Sequence, residues 1–158
     1  FLTACSNKTP EEKYKSALDK IENEKYSDAI MDLEKIVYEN PESKFAPDAL
    51  VEIGKLYYGK AVKNLSTEET MSKALDYYSK AYDRYPDSDV APKALFMMAF
   101  VQANELNKLE KAKENYTKFL QTYPKHELSE SAQIELENLG VPPEDILKKK
   151  VAAGSADK

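Results

Sequence analysis

Apolar residues recur three and four positions apart along most of the chain. Ala29, Leu33 and Ile36, then Ala74, Tyr78 and Ala81, then Ala112, Tyr116 and Phe119 each mark the buried stripe of an amphipathic helix. A second series has the same period: Tyr14, Ala17, Leu18 and Ile21 early in the chain, then Leu50, Ile53, Gly54 and Tyr57, then Leu95, Met98, Ala99 and Gln102. No stretch alternates Val, Ile and Thr as a half-buried strand would, so the pattern predicts an all-α chain.

Between the two series stand three versions of one phrase: NPESKFAPDAL from Asn40 to Leu50, YPDSDVAPKAL from Tyr85 to Leu95, and YPKHELSESAQ from Tyr123 to Gln133. Pro41, Pro86 and Pro124 cannot continue the preceding helix, and Pro47 and Pro92 sit where the first turn of the next helix needs no N–H. The phrase therefore reads as a helix-to-helix joint, and each repeat as a pair of helices. The joints are 86 − 41 = 45 and 124 − 86 = 38 residues apart. The longer interval holds an insert of about seven residues in GKAVKNLSTEETMSK, between the paired helices.

LVEIGKLYY, Leu50 to Tyr58, resembles the first-helix pattern of the tetratricopeptide repeat, and Ala74, Tyr78, Ala81 and Pro86 match its second-helix pattern. The match is good in the second repeat, fair in the third and weak in the first. The resemblance covers residues 10–140. It implies antiparallel helix pairs stacked into a short right-handed solenoid, about three repeats long, closed by a capping helix from Ser129 to Leu139. Gly140 is placed to end that helix. Pro142 and Pro143 can start one last turn with Glu144 and Asp145, so residues 141–158 read as a short helix and a solvated tail.

Composition narrows the function. A net charge of −5 argues against a protein that neutralises nucleic-acid phosphates. The single cysteine, Cys5, follows Leu2, Thr3 and Ala4, and the four fit the lipobox of bacterial lipoproteins. An ordinary free or buried thiol is the other reading. On the lipobox reading residues 1–4 are the remnant of a signal peptide, residues 5–9 a lipidated tether, and the acyl chains the membrane attachment. The long joints, with the pattern YP-x-S-x-x-A-x-x-A-L, resemble the repeats of bacterial envelope proteins: the BamD-like outer-membrane lipoproteins and the periplasmic coordinator associated with the Tol-Pal system. That resemblance, with Ser6 rather than Asp after the cysteine, implies an outer-membrane lipoprotein facing the periplasm.

Catalytic chemistry does not propose itself. The one histidine, His126, stands where the other joints carry Ser and reads as a polar turn residue. There is no zinc-ligand spacing and no Gly-rich phosphate loop, and the acidic pairs Glu11-Glu12 and Glu68-Glu69 read as solvated charge at helix starts. The expectation is a non-enzymatic protein with no cofactor, metal, nucleic acid or small-molecule substrate. KALFMMAFVQAN, Lys93 to Asn104, is apolar on every side, so something must cover it. Either the last helix folds over Phe96 and Phe100, or these line a concave groove with Val51, Lys55 and Tyr58 that accepts an apolar anchor from a partner. The implied function is a lipid-anchored scaffold or adaptor that binds another cell-envelope protein, possible roles including outer-membrane protein assembly. The alternative is a permanent structural subunit of a larger membrane or surface complex.

Overall fold

The computed structural model describes residues 8–142 and 144–148. Among them there are no strands. The helices are α1 (Pro10–Glu22), α2 (Tyr26–Glu39), α3 (Phe45–Tyr58), α4 (Thr67–Arg84), α5 (Ala91–Asn104), α6 (Leu109–Thr122) and α7 (Ser129–Glu137), followed by a helical turn over 144–148. Each packs against its neighbours in the chain, so α1/α2, α3/α4 and α5/α6 stack as consecutive pairs with α7 against α6.

The three joints share one backbone path. Each preceding helix stops at a non-helical residue, Asn40 (φ −136, ψ 55), Tyr85 (φ −133, ψ 57) or Tyr123 (φ −125, ψ 54). Its carbonyl then accepts from the N–H three residues on: Ser43 to Asn40 at 2.9 Å, Ser88 to Tyr85 at 3.1 Å, His126 to Tyr123 at 3.1 Å. A second turn follows, in which Ala46, Ala91 and Ser129 donate to the carbonyls of Ser43, Ser88 and His126. The prolines supply the fixed φ and the missing donor that this path uses. His126 behaves as a turn residue: its Nδ1 accepts from the Leu128 N–H at 3.1 Å, as Ser43 Oγ accepts from Phe45 N–H at 3.2 Å.

The expected stripes form the core. Ala29, Leu33, Ile36, Ala74, Tyr78, Ala81, Ala112, Tyr116 and Phe119 are all 0% exposed. The turns within the pairs use left-handed residues, Glu24 (φ 57), Lys60 (φ 55) and Asn107 (φ 49). After α1 and α3 the next amide reaches back five residues, Lys25 N–H to Lys20 O at 2.8 Å and Ala61 N–H to Leu56 O at 3.0 Å, closing Schellman motifs.

Three expectations need correction. The insert is not all loop: residues 59–66 turn the chain, and the rest lengthens α4 to 18 residues against 14 in α2 and α6. That extra turn is started by a capping box, in which Ser66 Oγ accepts from Glu69 N–H and the Glu69 carboxylate accepts from Ser66 N–H. Thr9 and Glu12 form the same box on α1, so Glu12 and Glu69 cap helices rather than merely solvate them. The capping helix ends at Glu137, two residues early, because the Asn138 side chain and amide both bond the Ile134 carbonyl; Gly140 takes its positive φ of 75 in the turn beyond.

Gly54 marks a close contact between α3 and α4: a Cβ there would lie 2.7 Å from Cε1 of Tyr78. Tyr78 is fully buried and cannot swing aside. Alanine at this helical site gains about 1 kcal/mol in helix propensity, while overpacking against a locked ring costs about 1–3 kcal/mol and forces a shift of α3 from α4. Gly54→Ala is expected to be destabilising by up to about 2 kcal/mol on chemical denaturation, where an exposed helical glycine would give the opposite sign.

Candidate partner-binding face

The sequence surrounds α5 with apolar residues, and the fold uses them on two sides. Ala94, Leu95, Ala99 and Val101 are fully buried between α4 and α6. Gln102 stands where the preceding repeat has Tyr57, and is 6% exposed because its Oε1 accepts from Asn115 Nδ2 at 2.8 Å. What remains is a half-buried face carrying Phe96 and Phe100 one turn apart.

These two rings belong to an aromatic ladder. Phe96 meets Tyr116 and Phe119 of α6 edge-on, with ring centroids 5.8 and 5.9 Å away. It lies 6.2 Å from Phe100, which in turn meets Tyr58 of α3 edge-on at 6.2 Å. Such offset and edge contacts suit aromatic quadrupoles. The ladder therefore runs from the core of the third pair to the surface of the second.

Charge flanks it. Lys55, one turn before Tyr58, pairs with Glu52. Lys93, one turn before Phe96, is held below the usual lysine range by burial and then by the nearby Lys55 ammonium. Glu52 thus pairs with Lys55, while Lys93 feels the charges of Glu52 and Glu127 with no salt bridge to either. Burial, then the charge of Glu105, raises the pKa of the Tyr58 hydroxyl above the usual tyrosine value. Behind the ladder, the buried hydroxyls of Tyr78 and Tyr116 have no protein hydrogen-bond partner, and burial raises both pKa values.

Of the residues singled out from sequence, Tyr58, Phe96 and Phe100 come together and Lys55 borders them. Val51 is 3% exposed and lies in the core, so it supports the face from beneath rather than offering a contact. The last helix does not account for the cover on α5: α7 packs against α6 and reaches α5 through Asn104 Nδ2 and Glu135 Oε2 at 3.4 Å. Cys5 lies outside the described residues. Sequence reasoning missed Lys93, whose signal was its place three residues before Phe96 on the same helical stripe. Among the described residues no group of three or more His, Cys, Asp and Glu could hold a metal ion.

A stack of helix pairs with a half-buried aromatic face defines the class, a helical-repeat protein. Residues 93–126 match the family model described as tetratricopeptide repeat. No curated protein matches the chain. The match covers α5, α6 and the third joint, not the second repeat, where the first-helix motif looked better. Spacing accounts for this: Gly54 to Ala74 is 74 − 54 = 20 residues, whereas Ala99 to Ala112 is 112 − 99 = 13.

The ladder predicts unequal costs for its two phenylalanines. Phe96 touches two fully buried rings, so Phe96→Ser is expected to cost about 2–3 kcal/mol of stability, below the range for a fully buried ring. The rings that Phe100 meets, Tyr58 and Phe96, are both half-buried, and Phe100→Ser is expected to cost about 1 kcal/mol, a fall of roughly 2–4 °C in midpoint. Thermal melting of the two variants checks the order.

Proposed function

We propose that the chain is a non-enzymatic adaptor that binds a protein partner on the face carried by α3 and α5. The observation that carries this is the half-buried ladder of Tyr58, Phe100 and Phe96, open to solvent along a row of first helices. The tetratricopeptide repeat is a protein-interaction repeat rather than a catalytic one, which supports the same reading. The partner segment fits as an apolar or aromatic side chain seated on Phe100 and Tyr58, with a carboxylate beside Lys55 and Lys93 to balance the two cations.

The adaptor reading extends to the cell envelope through the sequence around Cys5. Leu2-Thr3-Ala4-Cys5 supports lipidation of Cys5, with the repeat domain held at the bacterial outer membrane on its periplasmic side and working with envelope proteins, as BamD-like lipoproteins do. No helix among the described residues is long and apolar enough to cross a membrane, so on this reading the lipid does the anchoring.

Two measurements test the reading. In co-purification from membranes, Phe100→Ser should retain the fold and lose its partner by about tenfold or more in apparent affinity, about 1.4 kcal/mol; undiminished capture would move the interface elsewhere. Intact-mass spectrometry of membrane-extracted protein should give a chain that begins at Cys5 and carries diacylglycerol. A mature chain that retains Phe1 would rule out the anchor and leave the adaptor face to stand on its own test.

A further inference from the structure

A cleft that shares no residue with the aromatic ladder lies between α2 and α4. On α2, Met31 is 54% exposed and Tyr38 88% exposed, and seven residues place them on one helical face. Beside Tyr38 an open cleft of about 330 Å³ runs between α2 and α4, with Val37 and Leu50 among its apolar lining and Tyr77 on its α4 side.

The α4 side of this cleft is basic. Lys80 and Arg84 both line it, four residues apart on one face. Glu34 is the acid in the cleft, and it already accepts from the Tyr77 hydroxyl. Lys80 Nζ lies 5.0 Å from the Tyr77 ring centroid and 2.5 Å from the exposed carboxylate of Asp76. Arg84 sits 5.4 Å from the Tyr85 ring and has no carboxylate partner among the described residues.

The repeat itself offers a comparison. One pair further on, 45 residues on from α2 and 38 from α4, the equivalents of Val37, Tyr38, Lys80 and Arg84 are Tyr82, Asp83, Lys118 and Thr122. There Lys118 Nζ lies 4.5 Å over the Tyr82 ring, an acid replaces the exposed tyrosine, and the arginine is absent. The side chains that line the cleft between α2 and α4 are therefore not repeated at the next pair.

We propose that this cleft docks an acidic segment of a protein partner, seating one apolar side chain against Tyr38 and Val37 and presenting carboxylates one helical turn apart to Lys80 and Arg84. Charge complementarity selects the occupant: Arg84 lines the cleft with no carboxylate partner among the described residues and Lys80 beside it has only an exposed one, so a short acidic segment is attracted, while a long polyanion such as nucleic acid is repelled by the remainder of a chain of net charge −5. The site is distinct from the face bearing Phe100, which lets one chain hold two partners at once.

The test uses the full chain carrying Cys5→Ser, isotope-labelled for NMR, and a twelve-residue probe peptide in which leucines are spaced between glutamates. Saturable binding is expected, with amide shifts centred on Tyr38, Tyr77 and Arg84. The double variant Lys80→Glu, Arg84→Glu should weaken it by about tenfold or more, as should Tyr38→Ser, whose exposed ring leaves the fold intact, while Phe100→Ser should leave it unchanged. No saturable binding, equal binding of the same peptide with lysine in place of glutamate, or loss of binding in Phe100→Ser each overturns the proposal. So does binding of phosphatidylglycerol vesicles that Tyr38→Ser and the double variant weaken while peptide binding stays weak, which would make the cleft a lipid-headgroup site.

Discussion

The fold depends on one repeated joint. A helix stopped by proline leaves its last carbonyls without helical donors, and a buried pair of helices cannot tolerate that loss. At each joint the non-helical residue ahead of the proline turns its carbonyl to the N–H three residues on, and a second turn starts the next helix. Since Asn40, Tyr85 and Tyr123 share nearly the same φ and ψ, each pair leaves in nearly the same direction. The stack of pairs follows from that sameness, and so does the alignment of α3 beside α5.

That alignment makes the aromatic face possible. Tyr58 and Phe100 belong to different repeats and meet only because the joint sets their helices side by side. Phe96 couples the face to the core through Tyr116 and Phe119, so one end of the ladder is held rigid and the other is available. A preordered aromatic surface of this kind loses little side-chain freedom on binding, which is what an adaptor requires. The lysines beside it add direction, since Lys55 and Lys93 crowd each other while Glu52 pairs with Lys55.

Much of this was legible in the sequence, and the reason is local periodicity. The stripes through Leu33, Tyr78 and Tyr116 follow the helical period and lie in the core at 0% exposure. The joints were legible because proline leaves little conformational choice. What depended on contacts distant in sequence was not. Whether Phe96 and Phe100 are covered turns on where α7 comes to rest, and Val51 differs from Lys55 only in depth. The extra turn of α4 was written in Ser66 and Glu69, yet two adjacent acids read equally well as solvated charge. The nearness of Lys93 to Lys55 joins two helices and leaves no mark in either one alone.

The central claim is that partners meet the chain on the face of α3 and α5. Site-specific photo-crosslinking in cells tests it most directly, with a photoreactive residue at Lys55 on that face and, as a control, at Lys113 on the exposed side of α6. The account predicts a discrete protein adduct from position 55 and none from position 113. An adduct from position 113 with none from position 55 would contradict it.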